Sequence, residues 1–281
     1  MPVSEMHMKY QLSHLGRFGM AKAKLLSAVV AALSLIAAAT SPALAQEKLV
    51  GTYGEVRSVL SFKVSETALQ KFVPAGWELS ASGTGPSKGA NLNLVLIDAL
   101  TTQGPDGKPE NGPRIAALVF PARKTGTDAT VPMVFAGFTS SANYVPGAYG
   151  VFELAKTTIV RTARTDPEGK SGADESWDFR VDDNTGVSVQ LQFAHAPSAR
   201  TKRETRVYSA KTPDLYRIYR IEEALDVVRS TETGIDRVQR VTFKIRGSNI
   251  AQLFDGSEKL VSITSIPWYT RQVFLPSGGT Q

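Results

Sequence analysis

The stretch Asn91 to Ile97, NLNLVLI, constrains the fold most. Leu92, Leu94 and Leu96 alternate with Asn91, Asn93 and Val95, the period of a strand with one buried face. A helix cannot segregate residues spaced by two, so this segment must pair with others like it. Runs of similar character stand at Val56–Val64, Arg114–Phe120, Val131–Thr139, Tyr149–Val160, Ser176–Val181 and Val187–Phe193. Val241, Phe243 and Ile245 alternate with Thr242, Lys244 and Arg246, and strands near Leu260–Ile266 and Trp268–Phe274 close the chain. Many strand runs between turn-rich segments predict a mainly β (α+β) fold, a large antiparallel sheet closed or folded into a barrel or cone with a few short peripheral helices.

Helices are few. Ser65 is placed to cap one, Glu66 complements its N-terminal dipole, Leu69, Phe72 and Val73 share a face, and Pro74 ends it. A second is expected from Ser248 to Phe254, with Gly256 beyond. Leu215–Val228 fits a helix or a strand, and Glu222, Glu223 and Asp226 suggest a surface helix.

Lys22 and Lys24, the apolar run Leu25–Ala39 and then Ala43-Leu44-Ala45 make the three-part pattern of a secretory signal peptide. A bilayer-spanning helix needs roughly 20 apolar residues, and this run is shorter. Residues 1–45 are therefore expected to be an upstream extension and cleaved signal, with Met1 and Met20 both open as the start, and 46–281 a single β domain. The expected location is periplasmic or secreted, with no stable membrane anchor after cleavage.

The full chain carries 32 Lys and Arg against 26 Asp and Glu. Residues 1–45 hold Lys9, Arg17, Lys22, Lys24 and Glu5, so the remainder is nearly balanced, 28 against 25. Arg200-Thr201-Lys202-Arg203, Arg217 and Arg220 are interrupted by Glu204, Glu222 and Glu223, which reads as a solvated face and not as a nucleic-acid stripe. There is no cysteine. Thiol chemistry, cysteine metal sites and disulfide stapling are excluded, and stability must come from core burial. Of the histidines only His195 lies beyond residue 45, so no multi-histidine metal site forms within one such chain, and no cofactor or metal is expected. His195 follows an alternating run and reads as an ordinary strand-end residue without a G-x-S-x-G partner motif.

Gly83–Gly89, GTGPSKG, has neither Walker nor dinucleotide spacing and is expected to be a mobile hairpin loop. Gln103–Pro113 is a second loop and Pro276–Gln281 a loose tail. Asp182–Gly186 between two strand runs is a turn, not a calcium loop.

From Ser61 onward, SFKVSETALQKFVPAGWEL resembles the strand, short helix and proline-terminated turn near the start of acetoacetate decarboxylase-like proteins. ANLNLVLIDAL resembles the strand that follows, and VPMVFAGFTSSANYVPGAYGVFELAKTTIV the segment with a glycine-rich approach and a glycine-x-proline-lysine motif. The resemblance implies a β barrel or cone around an interior pocket and, where active, a lysine that forms a Schiff base with a keto acid. It departs at the motif: with Gly150 on the motif glycine, Phe152 takes the proline place, Glu153 that of the first lysine and Leu154 that of the second. Lys156 shares the strand parity of Leu154, so a shifted register still offers an amine.

Three readings follow. In the first, the domain binds a small carboxylate-bearing or apolar molecule without established catalysis, with Tyr144, Tyr149 and Phe152 facing the pocket. In the second, it is a decarboxylase- or aldolase-type lyase with Lys156 as nucleophile and Glu153 assisting proton transfer. In the third, it is an envelope interaction domain using the aromatics of Ile266-Pro267-Trp268-Tyr269. Expected partners are a small molecule and no nucleic acid, and the sequence leaves the oligomeric state open.

Overall fold

Strands dominate the computed structural model, which describes residues 47–247 and 249–276. The signal expected at residues 1–45 lies outside the described residues, as does nearly all of the expected tail. The strands in chain order are β1 (Lys48–Lys63), β2 (Trp77–Leu79), β3 (Leu92–Gln103), β4 (Pro109–Glu110), β5 (Arg114–Lys124), β6 (Thr130–Thr139), β7 (Phe152–Leu154) and β8 (Lys156–Thr165). They continue with β9 (Ser171–Arg180), β10 (Gly186–Ala194), β11 (Ala199–Ser209), β12 (Tyr216–Ser230), β13 (Ile235–Asp236), β14 (Val238–Arg246) and β15 (Lys259–Leu275).

Among the described residues one α-helix, α1 (Glu66–Gln70), follows β1. Ser65 caps it, accepting a hydrogen bond from the Ala68 amide at 3.3 Å, and Leu69 is buried. Of the helix expected at Ser248–Phe254, the structure shows a 3-10 turn at Ala251–Leu253.

Hydrogen bonding runs from β5 through β3, β1, β15, β12, β11 and β6 and back to β5, closing a ring of seven strands. All neighbours in it are antiparallel except β11 and β6, which pair in parallel at Tyr208↔Met133 and Ser209↔Val134. The large sheet is therefore mixed. Its parallel pair has a topological cause: between β6 and β11 the chain builds β8, β9 and β10, the long crossover that parallel strands require. These three strands with β14 form a second, antiparallel sheet in the order β14-β10-β9-β8.

Period-two alternation gives the ring wall two faces. Leu60 and Phe62 of β1, Leu92, Leu94 and Leu96 of β3, and Leu118 and Phe120 of β5 face outward. They share one core with Trp177, Phe179, Val189, Leu191 and Phe193 of the second sheet. Residues of the other parity, among them Ile97, Ile115, Ala117, Val119 and Val134, form a separate inner cluster with Tyr219, Ile221 and Tyr269.

Three further sequence expectations change. The two strands expected at Leu260–Ile266 and Trp268–Phe274 are the single strand β15, with a bulge at Pro267. Glu55 stands opposite Tyr269 but Arg57 opposite Ile266, so β15 carries one extra residue there. Proline has no amide to give to the ladder, and a bulge is where a strand tolerates that loss. The strand expected at Tyr149–Val160 is split by buried Ala155 into β7 and β8. The surface helix suggested at Leu215–Val228 is a strand, β12, because its acids are paired across the sheet. Glu222 receives Arg200 at 2.5 Å, Glu223 receives Arg203 at 2.9 Å, and Asp226 is buried against Arg237 and His195.

Candidate functional site: a cavity inside the ring

The inner face of the ring encloses a cavity of about 530 Å³. Its walls follow strand parity: Val59 and Ser61 from β1, Asn93, Val95 and Ile97 from β3, Ile115, Ala117 and Val119 from β5, and the odd-numbered residues Arg217 to Val227 from β12. On β15 the bulge switches parity. Thr264 and Ile266 face inward before it, and Tyr269, Arg271 and Val273 after it. Without the extra residue, the strand's second half would turn these three side chains outward.

Aliphatic side chains make one part of the wall and a charged, aromatic girdle the other. At the girdle's centre, Glu55 accepts Arg57 Nε at 2.6 Å on one carboxylate oxygen and Arg271 Nε and Nη2 at 3.0 and 2.9 Å on the other. The Arg57 guanidinium stacks 3.5 Å over the Tyr269 ring, and that of Arg271 lies 4.6 and 4.5 Å from the rings of Tyr53 and Tyr219. Both cations thus have a carboxylate at one side and an aromatic face at another. A second pair, Arg203 and Glu223, lines the wall on β11 and β12, and the Glu223 Oε2 atom is buried without a hydrogen-bond partner. Arg217 also lines the wall, and its Nε is likewise buried and unpartnered.

Burial pushes the Glu55 carboxyl up, but Arg271 and Arg57 outweigh it and hold it below its ordinary value of 4.5. Burial also pushes the Tyr53 phenol up to about 12 against the pull of Arg271, and raises Tyr144, Tyr149 and Tyr269 in the same direction. Tyr149 and Tyr219 share a short hydroxyl–hydroxyl hydrogen bond inside the cavity. The girdle is therefore a set of fixed cations with neutral phenols as hydrogen-bond donors.

One side of the wall is held by the segment from Ala142 to Phe152. Ser209 Oγ donates to the Tyr149 carbonyl at 2.7 Å, and Lys211 Nζ to that of Gly150 at 3.1 Å. The Phe152 ring sits against Gly137 and Gly147. A Cβ on either would come within 2.8 or 2.6 Å of it, and Gly147 has φ +75° besides. Pro86 and Ser87 of the Gly83–Gly89 loop also line the cavity, with Ser230 Oγ donating to the Pro86 carbonyl at 2.8 Å and Lys88 paired with Glu232 at 2.7 Å.

Of the residues singled out in the sequence, Tyr144, Tyr149 and Phe152 are wall residues. Glu153 is exposed on β7, and Lys156 is exposed at the start of β8, opposite Arg180 in the second sheet. Neither belongs to the wall, and among the described residues no lysine does. His195 bonds Asp226 at 3.0 Å, away from the cavity-lining set. In Ile266-Pro267-Trp268-Tyr269 the aromatics divide: Tyr269 is buried in the cavity wall, while Trp268 is 40% exposed beside Arg200. Among the described residues no three His, Asp or Glu side chains gather as metal ligands. The sequence reading missed the girdle itself. Its one visible signal is that Glu55 and Arg57 share strand parity with Val59 and Ser61.

No protein-family model and no curated protein matches the chain. Among solved structures it is similar to the enduracididine biosynthesis enzyme MppR complexed with pyruvate, at 11% identity and TM-score 0.49, covering 84% of this chain and 91% of that one. It is similar to acetoacetate decarboxylase from Legionella pneumophila, at 13% identity and TM-score 0.47, covering 85% and 91%. It is also similar to an acetoacetate decarboxylase-like enzyme from Sphingomonas wittichii, at 9% identity and TM-score 0.45, covering 84% and 94%. Acetoacetate decarboxylase-like proteins are the family that the segments from Ser61 onward resemble.

Proposed function

We propose that the protein is an exported binder of a small organic molecule, which it holds inside the ring without turning it over. The observation that carries this reading is the cavity. At about 530 Å³ it falls within the range of small-molecule sites, and its wall combines aliphatic surface with a few fixed polar groups. Imine chemistry needs an amine at the bound molecule, and the wall supplies guanidinium, phenol and carboxylate groups instead. Export rests on the pattern from Lys22 to Ala45.

The test is the mass of the protein recovered from the periplasm, measured under native and denaturing conditions, with a parallel incubation in pyruvate quenched by borohydride. The expected result is a chain that has lost residues 1–45, a released non-covalent mass and no covalent adduct. An adduct mapping to Lys156 would replace binding with Schiff-base catalysis. A chain retaining residues 1–45 would remove the export reading.

A further inference from the structure

We infer that the molecule held in the ring is an amphipathic monoanion whose charged head is received by Arg217, with an apolar body lying along the aliphatic wall. This rests on the reading of the ring as a ligand cavity.

Four guanidinium groups stand around the wall, those of Arg57, Arg203, Arg217 and Arg271. Glu55 is shared by Arg57 and Arg271, and Glu223 takes Arg203. The remaining charge of the Arg57–Glu55–Arg271 triad is spread over two cations, each covered by a tyrosine face. Arg217 has neither provision. It makes none of the ion pairs among the described residues, and its buried Nε donates to nothing. A cation in a low-dielectric wall attracts an anion more strongly than one in water does, and a guanidinium presents parallel donors suited to a planar oxyanion.

The neighbourhood of Arg217 supports an anionic head. It stands two residues from Tyr219 on β12 and faces the same interior, beside the Tyr149–Tyr219 hydroxyl pair. Burial keeps the Tyr149 phenol protonated, so the pair, with one O–H spent between its two oxygens, leaves one O–H for an oxyanion without adding negative charge. Farther along the cavity, Val59, Val95, Val119, Val134, Leu225 and Val227 offer an aliphatic bed that a short hydrophilic acid would leave unused. The ligand is held by charge and apolar contact, so it needs no carbonyl next to its acid group.

The test uses straight-chain probes that differ only at the head: decanoate, decanesulfonate, 1-decanol and decylamine, titrated calorimetrically into the exported protein. Both anions are expected to bind at least about tenfold more tightly than the alcohol, and the amine most weakly. Arg217→Gln should cost the anions about tenfold or more while leaving 1-decanol unchanged, which also shows that the variant folds. Arg217→Lys should retain the anion preference, and pyruvate should not displace decanoate. Equal binding of alcohol and anions, unchanged anion affinity in Arg217→Gln, or displacement by pyruvate would overturn the inference while the cavity reading stands. Failure of all four probes to bind the unaltered protein would overturn the cavity reading itself.

Discussion

Ala116 and Ala117 are adjacent on β5, yet they face different interiors. Ala116 belongs to the core between the two sheets, with Leu94, Leu118, Trp177 and Phe179, whereas Ala117 looks into the cavity with Val95, Val119 and Tyr219. The contrast runs along the shared wall. Its outward face carries Leu and Phe that meet the aromatic face of the second sheet, and its inward face carries Val, Ile and Ala, too short to meet across the ring. Along this aliphatic part of the wall, away from the girdle, side-chain length separates the filled face from the open one.

The largest effect should come from the filled side. Trp177 is fully buried and donates to Glu175 at 3.0 Å, so Trp177→Ala should lower stability by the upper part of about 3–5 kcal/mol in urea unfolding. A loss below about 1 kcal/mol would mean that the packed face does not carry the fold.

Glu55→Gln comes next, because it leaves two buried guanidinium groups short of their carboxylate, at about 3 kcal/mol. This site also sets a pH dependence. The Glu55 carboxyl is held below 4.5 in the folded chain, so its contribution is present above that pH and disappears as pH falls through the lower folded value. Thermal melts in acid should therefore decline less steeply for Glu55→Gln than for the unaltered protein, and parallel declines would remove Glu55 as a source of acid sensitivity.

The sharpest probe of the two faces is the adjacent pair. Ala116→Leu should cost about 1–3 kcal/mol by overpacking. Ala117→Leu, filling open space, should be neutral or stabilising by about 0.5–2 kcal/mol while weakening ligand binding. Equal costs at the two positions would break the comparison.

A last effect lies at high pH. Tyr53 is raised to about 12, so stability should hold up to about pH 10 and fall between that and 12, read as a drop in melting temperature.

The outward face was legible in the sequence, because Leu92, Leu94 and Leu96 announce their parity directly, and Ser65 with Leu69 announces α1. The girdle was not. Glu55 and Arg271 are neighbours only after β1 and β15 pair across 216 residues, and an arginine in a strand looks solvated until its carboxylate is found. The same cause hid β11 and obscured β12. ARTKRETRVYS has a weak apolar rhythm, and its charges become tolerable only opposite the acids of β12, which in isolation resemble the polar face of a helix. Tyr149 and Phe152 were reachable through the resembled segment, but the stagger at Ala155 that sends Lys156 into the second sheet had no local sign.

The ring is also unevenly fastened. β1 and β15 are joined over 14 residue pairs, whereas β11 meets β6 at only two, helped by the Ala210 amide donating to Val134 at 2.9 Å. Beyond that point the same edge of β6 is taken by β7. This short contact is the seam of the wall, the place where parting it breaks the fewest backbone bonds. The amides of Tyr208 and Ala210, which point at β6, should exchange with deuterated water ahead of those in β1 and β15, and bound ligand should slow them, whereas Ser209, whose amide donates to the Leu215 carbonyl, should not share the effect. Parting the seam would slit the wall along two residue pairs while the 14 pairs of β1 and β15 stay zipped.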